Sequence, residues 1–175
     1  MTVPSALLSH KSDVHLTPRY ILNAVIECMG GIDLDPCSNS RSCPNVPAGR
    51  HFIREDDGLS KPWDGRVFLN PPFGRDVDRW FVKLAGEYCS GRTTSAVVVW
   101  KSATETKAWQ VLTGVACQVC FPSRRIDFEG PGNVSGSTFS PALFYLGRDR
   151  ARFMLAFEGI GQIWEVPGGC RRVRR

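Results

Sequence analysis

Val67-Phe68-Leu69-Asn70-Pro71-Pro72-Phe73-Gly74 decides how this chain is read. Val67-Phe68-Leu69 is an apolar run of the kind that forms a buried strand. An amide side chain, two prolines and an aromatic ring follow it, and the carboxyl end of a strand is where open α/β sheets bind ligands. The Asn70 side-chain oxygen and the Pro71 carbonyl can both accept hydrogen bonds from an exocyclic NH2. Pro71 and Pro72 fix φ and remove two backbone donors, which leaves carbonyls to point inward. Phe73 offers a flat face on which a planar ring can lie. The plain alternative is a Pro-rich turn after an edge strand, with Phe73 in the core.

Outward from this stretch, Thr17-Pro18 has the pattern of an N-cap followed by proline at the first helical position. Ile21, Ala24, Val25 and Cys28 recur at helical spacing, and Gly30-Gly31 stops the helix. Ile32 to Asp35 reads as a strand, Pro36 to Pro47 as a polar loop, and His51 to Arg54 as a second short strand. Beyond the motif, a helix from Asp76 buries Val77, Trp80, Phe81, Leu84, Ala85 and Tyr88. Ser95 to Trp100 is a fully covered central strand, and Thr104 to Thr113 is helical. Strands are expected at Ala116 to Phe121, Arg124 to Phe128, Ala142 to Leu146 and Gln162 to Val166, with a helix over Asp149 to Glu158. Strands alternating with helices, then strands in close succession, predict an α/β fold with a mostly parallel sheet and an antiparallel end.

The length suits one domain, read as residues 17–166 between an N-terminal extension, 1–16, and a basic tail, 167–175. Hydrophobic content of 42% and charged content of 22% are those of a soluble globular protein. No apolar run is long enough to span a bilayer, and the amino terminus lacks a signal-peptide layout, so a cytoplasmic location is expected. Seven cysteines without a disulfide framework fit a reducing compartment. Cys117-Gln118-Val119-Cys120 lies in a strand-like run without turn chemistry, so buried thiols are expected there and no metal site. The formal net charge of +5 and the run Arg171-Arg172-Val173-Arg174-Arg175 suggest a polyanionic partner, against the plainer reading of a solubilising tail.

The chemistry that asks for Asn-Pro-Pro-aromatic at a strand end is methyl transfer to a planar amino group. Two acceptors on one NH2 aim its lone pair at a sulfonium methyl. The chain resembles the small phage-type DNA N6-adenine methyltransferases, the phage Dam-like group among the S-adenosylmethionine-dependent methyltransferases. The resemblance rests on Thr17-Pro18, Asp33-Leu34-Asp35-Pro36-Cys37, Asp56-Asp57-Gly58-Leu59 with Trp63, and the motif Asn70 to Gly74. Thr104-Glu105-Thr106-Lys107 with Trp109, Arg124-Arg125-Ile126-Asp127-Phe128 and Ser140-Pro141-Ala142 complete it, in this order, over nearly the whole chain.

That resemblance implies a single-domain Rossmann-like class I fold and a methyl group passed from S-adenosylmethionine to adenine N6. It implies Thr17, Pro18, Asp33, Asp35, Pro36, Cys37 and Asp57 for the cofactor, and Asn70, Pro71, Pro72 and Phe73 for the target base. Double-stranded DNA would be the partner, with Arg75, Lys101, Arg124, Arg125, Arg171 and Arg172 as candidate contacts. A bacterial host cytoplasm follows if the chain is phage or prophage encoded, and nothing calls for an obligate protein partner beyond a monomer. The chain departs from the wider pattern in having no glycine between Pro36 and Ser40. Asp33, Glu55, Asp56 and Asp57 all compete to hold the cofactor ribose. The same motif also serves cytosine N4, RNA bases and glutamine side chains, and a non-enzymatic nucleic-acid-binding protein is the reading from another class. Target specificity is expected in loops such as Gly74 to Asp78 or Glu129 to Ser140.

Overall fold

The computed structural model describes residues 16–74, 76–128 and 140–167. Helix α1 spans Arg19–Met29 and leads into strand β1, Ile32–Asp35. Strands β2 (Ala48–His51) and β3 (Gly65–Leu69) follow with no α-helix between them, only 3-10 turns at Arg54–Asp56 and Gly58–Ser60. Then come α2 (Val77–Ser90), β4 (Thr93–Lys101), α3 (Lys107–Val115), β5 (Gln118–Pro122), β6 (Pro141–Leu146), α4 (Arg150–Phe157) and β7 (Gly161–Glu165). The strands form one seven-stranded sheet in the order β2-β1-β3-β4-β6-β5-β7. From β2 to β4 neighbours run parallel, whereas β6 is antiparallel to β4 and β5, and β7 is antiparallel to β5.

The expected parallel sheet with an antiparallel end is therefore present. Side-chain alternation along its central strands divides the core into two layers. Val67, Leu69, Ala96, Val98, Trp100, Ala142 and Phe144 pack against Phe81 and Leu84 of α2 and Trp109 and Leu112 of α3. Phe68, Val97, Val99, Leu143 and Tyr145 face the other way, onto Ile21, Leu22 and Val25 of α1 and Phe153 and Phe157 of α4. At the end of α1, Gly30 takes the left-handed conformation and its N–H reaches the Ile26 carbonyl, as the Gly-Gly stop predicts. Among the described residues, no helix is long and apolar enough to cross a membrane.

Several expectations need correction. Residues 124–128 are not a strand. Strand β5 already has β7 on one side and β6 on the other, so no free edge remains for another partner. Ile126 is still buried, in the layer beneath α1. The second strand lies earlier than expected, at 48–51. Helix α3 starts at Lys107 because the Thr106 hydroxyl accepts from the Trp109 N–H, capping the helix two residues after Thr104. Thr17 is not a helix cap: Pro18 holds that position, and its carbonyl accepts from the N–H groups of Ile21 and Leu22. Cys28, Cys37, Cys43, Cys89 and Cys120 are free thiols, as expected of buried reduced cysteines at Cys120.

The loop between β2 and β3 is pressed onto the end of β1. Trp63, fully buried, donates its indole N–H to the Gly58 carbonyl at 2.8 Å. A Cβ at Gly58 would lie 2.0 Å from the carbonyl oxygen of Pro36, so no larger residue fits without moving one of the two loops. Gly58→Ala is expected to destabilise the fold by about 1–3 kcal/mol, the range for overpacking. Thermal unfolding would show this as a fall of several degrees, and an unchanged melting temperature would mean that the two loops are not in the close contact described.

Candidate active site

The sheet switches direction of growth between β1 and β3, since β2 lies outside β1 and β4 lies outside β3. Leu34 pairs with Val67, which sets the carboxyl ends of the two strands side by side. A cleft of about 910 Å³ opens there. Its wall includes Thr17, Asp35, Pro36, Cys37, Asp57, Asn70, Pro71, Pro72 and Phe73, nine positions that the sequence singles out. A crevice outside the carboxyl ends of strands at a switch point is the general ligand site of such sheets, and its volume suits a cofactor-sized molecule.

Asp35 ends β1 with only 3% of its surface exposed. Its carboxylate accepts the N–H of Cys37 at 3.1 Å. Burial pushes its pKa up to about 6, and the Cys37 N–H, the nearby His51 and the Ser38 hydroxyl only partly offset that. Cys37 also donates its thiol to the backbone carbonyl of Asn70 at 3.2 Å, so one residue touches both strand ends. The amide nitrogen of Asn70 donates to the Thr17 hydroxyl at 3.2 Å, which sets the orientation of the carboxamide. Thr17 is itself gripped by Asn45: its N–H donates to Asn45 Oδ1, and its carbonyl accepts from Asn45 Nδ2.

The loop after β1 turns without glycine because its side chains supply the turn hydrogen bonds. The Ser38 hydroxyl donates to the Ser40 carbonyl, the Ser40 hydroxyl accepts from the Cys43 N–H, and Asn39 Oδ1 accepts from the Asn45 N–H. Ser38 N–H donates to the Phe52 carbonyl and ties the loop to the segment after β2.

Among the four competing acids, two are engaged elsewhere. Both oxygens of Asp33 accept from the Arg66 guanidinium, and Oδ2 also accepts the Arg66 backbone N–H. Those Arg66 hydrogen bonds lower its pKa. Asp56 accepts the Ile53 N–H and is paired with Arg41, contacts that lower its pKa too. Glu55 and Asp57 both line the cleft. Asp57 is the one non-glycine residue with positive φ among the described residues, at 48° between the two 3-10 turns. Backbone in that region is sparsely populated and concentrates at functional sites.

The chain belongs to the DNA N-6-adenine-methyltransferase (Dam) family. The family's model matches residues 4–148, so the match runs from before α1 through β6 and takes in every part of the cleft. No curated protein matches the chain. As a Dam-family member it is an enzyme that methylates adenine N6 in DNA.

Not every residue singled out for the Dam-family site comes to the cleft. Pro18 caps α1, and Asp33 is held by Arg66; neither lines the cleft. Lys101 lies with its ammonium 5.5 Å from the centroid of the Trp100 ring, and Arg124 and Arg125 are exposed just after β5. These three sit near the carboxyl ends of β4 and β5, which point the same way as those of β1 and β3. Arg75, Arg171 and Arg172 lie outside the described residues, as does most of the Glu129 to Ser140 loop. Sequence reasoning missed Asn45, which carries no signal beyond its place in a polar loop. It also assigned Trp80 wholly to the core. Trp80 lines the cleft, half-buried, with its ring stacked on Trp63 at 5.9 Å.

A carboxyl whose pKa rises from its unfolded value near 3.8 to about 6 binds more protons folded than unfolded between those limits. Its contribution to stability is thus lost as pH rises from about 4 to about 6, by at most about 3 kcal/mol. Asp35→Asn is expected to gain stability relative to wild type on going from pH 4.5 to pH 7.5. Urea unfolding of both proteins at the two pH values measures this. An equal difference at both would show that Asp35 is not a buried, strained carboxylate.

Proposed function

We propose that this enzyme uses S-adenosylmethionine as its methyl donor, on a Rossmann-like class I methyltransferase fold, and acts on an adenine extruded from duplex DNA into the cleft between β1 and β3. The observation that carries this reading is the contact between Asn70 and Thr17. It orients the carboxamide at the end of β3 beside the buried acid at the end of β1.

The chain's residues fit that donor. Asp35 is a buried carboxylate with no basic side chain in salt-bridge contact among the described residues, a setting that favours a ligand carrying positive charge. Asp57 and Glu55, on the same wall, would accept from the ribose hydroxyls, and Thr17, Pro36 and Cys37 would complete the cradle. Bound there, S-adenosylmethionine supplies an electrophilic methyl group on a sulfonium sulfur.

The work of the protein is placement and charge stabilisation. Asn70 Oδ1 and the Pro71 carbonyl would accept the two N–H bonds of the adenine amine. That draws the nitrogen lone pair out of the ring and stabilises the positive charge that grows on the nitrogen during attack. The proton then leaves an already acidic nitrogen, so no strong base is required. Phe73 would provide the stacking face for the extruded base. Lys101, Arg124 and Arg125, near the same end of the sheet, would meet phosphates, with Arg75, Arg171 and Arg172 as further candidates.

Incubation with labelled donor and DNA, followed by nucleoside mass spectrometry, should yield N6-methyladenine. Asn70→Ala is expected to lower turnover about a hundredfold, as loss of one transition-state acceptor does at comparable sites, while donor binding stays near normal. Near-normal turnover would remove Asn70 from the catalytic set. In calorimetry, Asp57→Ala should weaken donor binding and Asp33→Ala should not, because Arg66 holds Asp33 away from the cleft. The reverse pattern would move the ribose site to Asp33. Paired Arg124→Gln and Arg125→Gln changes should flatten the salt dependence of DNA binding by roughly one unit of slope per lost contact. An unchanged slope would take both arginines out of the interface.

A further inference from the structure

Phe73 lies in a loop, yet a stacking platform is useful only if its ring is held still. The ring lies against Trp100, with centroids 5.3 Å apart and planes 22° from parallel. Trp100 is near the end of β4, 2% exposed, and paired across the sheet with Ala142. Phe81 of α2 meets the Trp100 ring edge-on, with centroids 5.1 Å apart. Phe73, Trp100 and Phe81 thus form a short column of rings that connects the cleft to the sheet and to α2.

Trp100 is a costly residue for this place. Its indole N–H is buried and has no hydrogen-bond partner among the described residues. A buried donor left unmet costs about 1–3 kcal/mol, and a phenyl ring or an aliphatic chain would carry no such cost. What the indole supplies instead is a broad, rigid plane on a central strand. Residues that break a rule of stability in this way cluster where function requires them.

We infer that Trp100 is a positioning residue for methyl transfer, holding the Phe73 ring at the height and tilt at which the extruded adenine stacks. The inference rests on Phe73 being the base platform. Trp100 does not line the cleft, so it acts through Phe73 and touches neither donor nor base. Asn70 is fixed to the end of β3 and Phe73 to the end of β4, and β3 and β4 are hydrogen-bonded neighbours. The amine acceptor and the stacking face are then referenced to the same rigid sheet. A misplacement of about 1 Å between them is enough to cost up to a hundredfold in rate.

The test is single-turnover methyl transfer to adenine-rich duplex DNA from labelled S-adenosylmethionine, with rates expressed per donor-binding site measured by calorimetry. Trp100→Met keeps an apolar side chain and removes the plane, Trp100→Phe keeps a plane and removes the buried N–H, and Phe73→Leu removes the platform. Trp100→Met is expected to slow transfer about tenfold or more with donor affinity unchanged, and Trp100→Phe to stay within about threefold of wild type. Trp100→Phe should also melt no lower than wild type. The double variant Phe73→Leu/Trp100→Met should be no slower than Phe73→Leu, because both changes remove one device. A wild-type rate for Trp100→Met beside a slow Phe73→Leu overturns the inference and leaves the platform standing. A wild-type rate for Phe73→Leu overturns the platform itself. Multiplying losses in the double variant, or loss of donor binding in Trp100→Met, would make Trp100 a structural residue and end the proposal.

Discussion

The parallel pairing of β1 with β3 is the constraint on which the site depends. Leu34 opposite Val67 sets the end of β1, at Asp35, beside the end of β3, and the same register carries Cys37 to the level of Asn70, the first residue after β3. Cys37 then spans the junction, with its N–H on the Asp35 carboxylate and its thiol on the Asn70 carbonyl. Neither strand could shift by a residue without breaking this contact and turning its buried side chains to the other face. The two strand ends that wall the cleft are in this sense one feature of sheet register.

Around that junction the chain uses few long-range ties, each of them between loops that sequence alone leaves unrelated. Asn45 grips Thr17, Thr17 orients Asn70, and Trp63 pins Gly58 beneath Pro36. Together they let a chain with no α-helix between β1 and β3 still wall a cofactor-sized cleft. The missing glycines of the β1 loop find their explanation here too. Ser38, Asn39 and Ser40 turn the backbone with side-chain hydrogen bonds, so the tight loop needs no residue without a Cβ.

Charge is distributed with a similar economy. Asp33 and Asp56 are neutralised by Arg66 and Arg41, and Glu87, buried in α2, is held ionised against the cost of its burial by Arg92 and Lys83. Among the described residues Asp35 is the exception, a buried acid without such a partner, and it lines the cleft. A group kept at odds with its surroundings inside a cleft is where a folded protein stores binding specificity.

Much of this was legible in the sequence because it is local. The apolar runs of β3 and β4, the 3.6-residue period of α1 and α2, and the Asn-Pro-Pro-Phe motif all express backbone preferences that hold wherever the segment goes. The same holds for seven of the nine singled-out residues on the cleft wall, Asp35 to Cys37 and Asn70 to Phe73, since strand ends carry their chemistry in the residues that immediately follow them. The tertiary structure decided the rest. Asp33 and Asp35 differ in sequence by a single step of the pleat, yet two residues along a strand span about 6–7 Å, enough to take one acid to Arg66 and leave the other in the cleft. Arg124 to Phe128 looks like a strand but finds both edges of β5 occupied. That the N–H of Trp100 has no partner among the described residues could not be read from its apolar run at all. Hydrogen-bond partners and free edges are set by which segments meet, and no local propensity contains that information.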